Sequence, residues 1–375
     1  MDDSDPDLLP EGLEDRLPRE AAAVTRIIRA IQDVMHGHGY DRVLPPMIEF
    51  ERSLGGRMAG NQSPKATRSM FRFVDPASLR MMALRSDITP QIGRIAGTRL
   101  AESPRPLRLC YAGQVLSIKG DGLDPARERL QCGAELVGTD SVAAASEIVA
   151  IAIEAALAAG AAGVSVDFTL PDLVDTLAAK AMPLPAEKIA AVRRELDAKD
   201  ARGLIEAGGE AYVPLLYATG EFDSAVEKLC AIDAGGALAS RIAALREIAA
   251  RIGSTARITL DPSERHGFEY QSWFGFTLYA DGVRGALGRG GTYRIAGAGD
   301  GEVATGFSLY PDPLIALVAD DQASQRVFLP LGHDGDAAVR LRSIGWRTVA
   351  ALSDSDRAEQ LGCTHVLTVD GPVPL

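Results

Sequence analysis

Arg108-Leu-Cys-Tyr-Ala-Gly-Gln-Val-Leu-Ser-Ile-Lys119, then Gly120-Asp-Gly-Leu-Asp-Pro125, then Ala126-Arg-Glu-Arg-Leu-Gln-Cys-Gly-Ala-Glu-Leu-Val-Gly138 is the stretch that decides the fold. Two runs with partial apolar alternation flank a cluster of Gly, Asp and Pro, the pattern of a β-hairpin with a long loop. Side chains two apart share a face of a strand. Arg127, Arg129, Gln131, Gly133 and Glu135 therefore line one face, and Leu130, Cys132, Ala134 and Leu136 the other. The polar face reads either as ordinary solvent exposure or as a ligand surface. A glycine inside a strand, here Gly133, often marks close approach of a ligand or another backbone. Gln131 and Glu135 sit about 13 Å apart along the strand, so their side chains can lean from both ends toward one small molecule.

The 375 residues are enough for two or three domains and a substantial core. A content of 46% hydrophobic and 24% charged residues is that of an ordinary globular protein. The net charge of −12 disfavours broad attraction to nucleic acid, so no nucleic-acid partner is expected. Cys110, Cys132, Cys230 and Cys363 are scattered without a Cys-x-x-Cys pair, which argues against a zinc site or disulfide framework and fits a reducing cytoplasm. The apolar run near 147–163 is interrupted by Glu147 and Glu154, so it reads as a buried helix and not as a membrane span. The acidic opening, residues 1–8, lacks a basic-then-apolar signal and is expected to be a disordered tail. His36 and His38 lack partner ligands, and no metal is expected.

Val24, Ile27, Ile28, Ile31, Val34 and Met35 recur at helical spacing, which predicts an amphipathic helix over 19–36, ended by Gly37 and Gly39. Residues 71–74 and 81–84 read as paired strands. Asp87 and Thr89 read either as an N-cap pair for a helix over 91–100 or as ligand groups. An alanine-rich helix over 143–159 and a strand over 164–170 follow. Residues 171–252 are expected to be a helical insertion. A strand over 258–262 precedes an aromatic strand running to Tyr279. Tyr270 and Gln271 either fill a sheet face or supply hydroxyl and amide contacts. The run Gly288-Arg-Gly-Gly-Thr-Tyr293 reads as a tight sheet turn. Residues 325–375 read as a small β-α-β-α-β unit with helices over 336–344 and 354–361.

The hairpin and its neighbours resemble class II aminoacyl-tRNA synthetases of the histidyl branch. The second signature motif there runs Tyr-x-Gly-Pro-x-Phe-Arg-x-Glu, a loop rich in Arg and Gln, then Gln-x-Gly-x-Glu-x-x-Gly. Tyr111, Gly113, Gln131, Gly133, Glu135 and Gly138 keep that frame. Residues 39–49 are similar to the first motif, which builds the family's dimer interface, and residues 304–313 to the third. Leu84-Arg-Ser-Asp-Ile-Thr89 is similar to Leu-Arg-Pro-Glu-x-Thr, whose acid and threonine hold the amino group of histidine. The resemblance implies an α+β fold: an antiparallel sheet flanked by helices over 9–170 and 253–320, with the 171–252 insertion and the small C-terminal α/β unit. It implies histidine-binding roles for Asp87, Thr89, Gln131, Glu135, Tyr270 and Gln271.

The family's ATP-binding positions are altered. Ser117 and Lys119 stand where the second motif has Arg and Glu, His266 where a histidyl-specific motif has Arg, and Pro313 where the third motif ends in Arg. Serine lacks the charged fork that grips phosphate, and proline removes both cation and backbone donor. Adenylation needs cations where phosphate charge develops. The chain is therefore expected to bind histidine without activating it, with no catalytic residues and no cofactor. That description resembles the ATP phosphoribosyltransferase regulatory subunits, paralogues of histidyl-tRNA synthetase. The resemblance implies a short-form catalytic subunit as partner, a homodimer within a hetero-oligomer, and histidine as feedback effector. The alternatives are a working histidyl-tRNA synthetase, another synthetase-like enzyme that activates an amino acid, and a structural partner with a vestigial pocket.

Overall fold

A computed structural model describes residues 8–55, 70–120, 125–233, 235–265, 271–296, 301–319 and 325–375. Residues 1–7 of the expected tail, and the candidates His266 and Tyr270, lie outside the described residues. In chain order the strands are β1 (Asp41–Arg42), β2 (Ile48–Phe50), β3 (Arg72–Val74), β4 (Met81–Leu84), β5 (Leu107–Leu116), β6 (Glu128–Val137), β7 (Ser165–Thr169), β8 (Gly220–Glu221), β9 (Arg257–Leu260), β10 (Gln271–Tyr279), β11 (Gly288–Ile295), β12 (Glu302–Leu309), β13 (Arg326–Leu329), β14 (Arg347–Ala350), β15 (His365–Thr368) and β16 (Gly371–Pro374). The chain divides into a unit ending at Val318 and a unit beginning at Ala319.

The first unit is organised on a nine-stranded sheet, ordered β1-β5-β6-β12-β11-β10-β7-β9-β8. It is antiparallel except where β1 joins β5 and β7 joins β9. The predicted hairpin forms as β5 and β6, with Tyr111 opposite Gly133 and Gly113 opposite Gln131. The helix Val142–Ala158 lies against this sheet. Its buried positions are mostly Ala, Ile and Val, so it approaches closely, and Ser141 caps its start by accepting from the Ala144 N–H at 3.2 Å. The amphipathic helix Pro18–Gly37 buries Ala23, Ile27, Ile31 and Met35 and packs on that helix. Residues 171–252 hold mostly helices, and the last of them, Ala239–Ile252, also packs against Val142–Ala158. Among the described residues, no helix is long and apolar enough to cross a membrane.

A separate three-stranded sheet, β2-β4-β3, stands beside the first motif. The short helix Thr89–Gly97 is tied to it. Gln91 Nε2 donates to Glu49 Oε1 at 2.8 Å, and Arg94 donates to both oxygens of Glu49 at 2.7 and 2.9 Å.

Two expectations are corrected. Gly288–Tyr293 is no turn: it is the first part of β11, between β10 and β12. Its glycines answer to crowding across the sheet. A Cβ on Gly290 would stand 2.5 Å from the Phe276 ring and 2.6 Å from the Gly306 carbonyl. In the C-terminal unit, β13 pairs in parallel with β14 and β15, and β15 pairs antiparallel with β16. The expected helix over 354–361 is replaced by turns. Asp356 draws the chain out of helix by accepting from the Leu352 and Ser353 N–H groups at 2.6 and 3.1 Å. The helix Gly335–Ser343 does form, capped by Asp334.

The register lays out what positions the site. Opposed residues on antiparallel strands share a face. Glu135, Gly306, Gly291 and Gly275 form one row across β6, β12, β11 and β10. Three glycines in a row leave a trough floored by backbone, with Tyr293 and Gln271 from the row on one side and Ser308 and Arg289 from the row on the other. A Cβ on Gly306 would fall 1.6 Å from Glu135 Oε2. Gly306→Ala should therefore destabilise the protein by about 1–3 kcal/mol, as overpacking does. The measurement is the urea midpoint at unchanged slope; an unmoved midpoint would show that Glu135 swings aside at no cost.

Candidate functional site

The trough is a narrow cleft lined by Thr89, Glu135, Gln271, Arg289, Gly290, Gly291, Tyr293, Gly306, Phe307 and Ser308. Its free space is about 10 Å³, room for roughly one water, so a guest of amino-acid size must part the lining side chains to enter. The sequence candidates Thr89, Glu135 and Gln271 line it. Asp87 and Gln131 stand directly behind, joined to it through Ser308.

Gln131 is fully buried, and its amide is satisfied at both ends. Its Oε1 accepts from the Ile88 N–H at 2.9 Å. Its Nε2 donates to Asp87 Oδ1 at 2.7 Å and to Ser308 Oγ at 2.8 Å. The two readings of Asp87 and Thr89 turn out to be one arrangement. The Thr89 N–H donates to Asp87 Oδ1 at 3.1 Å, which starts the helix, while the Thr89 hydroxyl donates to Glu135 Oε1 at 3.0 Å. Helix start and cavity wall are the same two residues.

Glu135 is held by three hydroxyls. Thr89 is one; Tyr111 donates to Oε1 at 3.2 Å, and Tyr293 donates to Oε2 at 2.6 Å. Burial outweighs them and pushes the Glu135 carboxyl up to about 8, with the nearby Asp87 adding to the rise. Burial also raises Asp87, against the bonds from Gln131 and Thr89. These partners are neutral donors. A cation or N–H group entering the trough would meet the Glu135 carboxyl, whose ionised form is held back by lack of water, with Asp87 behind it.

Gly133 meets another backbone, one of the two readings its place in the strand invites. A Cβ there would stand 2.2 Å from the Phe307 carbonyl oxygen and 2.5 Å from the Tyr111 hydroxyl. The glycines that border the cavity are Gly290, Gly291 and Gly306. Gly113 makes room for Arg85, whose Nε donates to the Gln114 carbonyl at 2.7 Å and whose Nη1 donates to that of Pro45 at 3.0 Å. Gln271 Nε2 donates to the Gly290 carbonyl at 2.8 Å, so its amide lies along the trough.

The other positions singled out in the sequence lie apart from the cavity lining. The Ser117 hydroxyl donates to the Lys119 carbonyl at 2.8 Å, just beyond the end of β5, and Lys119 is exposed. Pro313 is the second residue of the helix Asp312–Ala319. Beside it, Asp312 Oδ2 accepts from the Leu130 N–H at 2.9 Å. Among the described residues no group of His, Cys, Asp and Glu is placed to hold a metal ion.

Sequence reasoning missed Tyr111, Tyr293, Ser308 and Arg289 as members of the site. Tyr111 was visible as a frame residue, and its place opposite Gly133 follows once the hairpin register is known. Tyr293 and Arg289 were hidden by reading a strand as a turn.

Comparison with known proteins gives the same fold and adds a family. The family model described as histidyl-tRNA synthetase matches residues 12–314. An ATP phosphoribosyltransferase regulatory subunit from Rhodospirillum centenum is 41% identical over 96% of this chain and 94% of its own. One from Paramagnetospirillum magneticum is 41% identical over 98% of this chain and 97% of its own. A solved ATP phosphoribosyltransferase regulatory subunit/histidyl-tRNA synthetase from Bacillus halodurans superposes with a TM-score of 0.78 at 20% identity, over 96% of this chain and 97% of its own. A histidyl-tRNA synthetase from Nostoc sp. superposes with a TM-score of 0.78 at 16% identity, over 96% of this chain and 91% of its own. The full-length relatives and the matched domain together show that the chain belongs to the ATP phosphoribosyltransferase regulatory subunit family, built on the histidyl-tRNA synthetase fold.

Proposed function

We propose that this chain is the non-catalytic regulatory subunit of an ATP phosphoribosyltransferase, that it binds free histidine in the trough, and that it confers both activity and feedback inhibition on a short-form catalytic subunit. The observation that carries this reading is the Glu135 carboxyl, buried among hydroxyls beside a cleft floored by glycines. An ammonium and an imidazole N–H are the donors such acids and amides accept. Asp87 and Thr89 would take the ammonium, with Gln131 acting through the Asp87 oxygen it holds. Glu135, Tyr270 and Gln271 would take the ring.

The positions of the synthetase ATP cations support binding without activation. Ser117 spends its hydroxyl on its own loop, and Pro313 opens a helix. Neither supplies a charge for a triphosphate. Feedback then requires two states of the assembly with different histidine affinity, typically about 1–3 kcal/mol of coupling. Pairing of two copies has apolar surface available at the β2-β4-β3 sheet, where Phe73, Val74 and Met81 of the strands and Leu79 of the turn between β3 and β4 are exposed. The four unpaired cysteines suit the cytoplasm.

Three outcomes are expected. Calorimetry on the purified protein should show histidine binding and no ATP binding; tight ATP binding or histidine-dependent pyrophosphate exchange would return the chain to the synthetases. Glu135→Ala in a complex reconstituted with a short-form catalytic subunit should weaken histidine inhibition by 10-fold or more, on the order of a lost hydrogen bond to a charged group. An unchanged inhibition curve would instead mark the subunit as a scaffold. The third concerns pH. Glu135 is mostly protonated in the empty site below about 8. The ligand favours the ionised form, so affinity rises with pH up to about 8 as Glu135 loses its proton. The imidazole of histidine is largely neutral above about 6.5 and its ammonium begins to lose its proton from about 8 upward, so the Glu135 slope is read in the window between those limits. A Kd series across it should slope in the wild type and flatten in Glu135→Gln.

A further inference from the structure

A free amino acid brings a carboxylate as well as an ammonium. Burying that anion unpaired would oppose binding, and Asp87 and Glu135 repel it. Among the described residues that line the trough, Arg289 is the one cation. Its place follows from register. Arg289 lies opposite Ser308 on β12 and Thr277 on β10, and Ser308 lies opposite Gly133. Arg289 therefore shares the cavity face with Ser308, whose hydroxyl is bonded to Gln131 and Tyr111.

Residues three apart in a strand lie on opposite faces, so position 292 is expected to face away from the side that Arg289 takes. Thr292 does face away: its hydroxyl is buried among the Trp273 and Phe274 N–H groups and Ser272. The arginine at 289 faces in. Beside it, Tyr310 feels both the Arg289 and the Arg129 guanidinium, and Arg129 lies 4.6 Å over the Tyr310 ring. Positive charge thus borders the trough along the Ser308 wall, across from the amide of Gln271.

We propose that Arg289 binds the carboxylate of the amino acid held in the trough, so that the site recognises the free acid and rejects decarboxylated and esterified forms. This rests on the reading of the trough as a histidine site. A planar guanidinium matches a carboxylate with two parallel N–H bonds, which gives orientation as well as attraction. With acids at one end and Arg289 on the wall, the zwitterion can enter in one orientation only.

The experiment is calorimetry on the full chain with L-histidine and with histamine, which keeps ammonium and imidazole but has no carboxylate. The wild type should bind L-histidine about 10- to 100-fold more tightly than histamine. Arg289→Met should bring L-histidine to the level of histamine and leave histamine unmoved, and Arg289→Lys should recover part of the difference. Arg289→Gln is read in the same way if Arg289→Met does not fold. Equal binding of the two ligands by the wild type, or a difference that survives in Arg289→Met, overturns the role of Arg289 and leaves the histidine site standing. A wild type that binds neither ligand overturns the histidine site and this inference together.

Discussion

The Gln131 side chain is the fastening on which the site depends. One amide joins three separate pieces of chain: the turn at Asp87 and Ile88, its own strand β6, and Ser308 on β12. It has no exposure to water, so each of these bonds stands in place of one that solvent would have made. A fully satisfied amide in such a place is specific in a way that apolar contact is not. Shifting β6 by one residue would put Leu130 or Cys132 where the amide belongs, and the turn at Ile88 would lose its partner. Glu135, four residues on, inherits its position from the same register.

The fold was legible where local pattern and tertiary role agree. Period-two alternation with a Gly/Asp/Pro break found β5 and β6, and three-four spacing found the helix Pro18–Gly37. Reading failed where glycine carries a tertiary meaning. The glycines at 288, 290 and 291 look like turn residues from sequence alone. In the structure they exist because a ring, a carbonyl and a side-chain amide already fill the space above the strand. Residues 354–361 failed for a different reason, since Asp356 trades helical bonds for local ones. The site was legible in its acids and amides because a family motif quotes them in sequence. The Thr89 hydroxyl was read with them, but Tyr293, Ser308 and Arg289 come from strands far from the hairpin in the chain, and only the sheet register brings them together.

The same scaffold hosts proteins named as synthetases and proteins named as regulatory subunits. Fold alone therefore does not decide the chemistry, and the side chains around the trough must do so. What they offer is selective solvation. The interior withholds water from two carboxyls and supplies hydroxyl and amide groups in its place.

The helix Thr89–Gly97 has nine residues and spans about 13 Å. Its first residue touches Glu135 in the cavity, while Gln91 and Arg94 grip Glu49 in the outlying three-stranded sheet. The cavity wall and the outlying sheet are thus the two ends of one element of fewer than three turns, and the position of each is set by the other's grip on it.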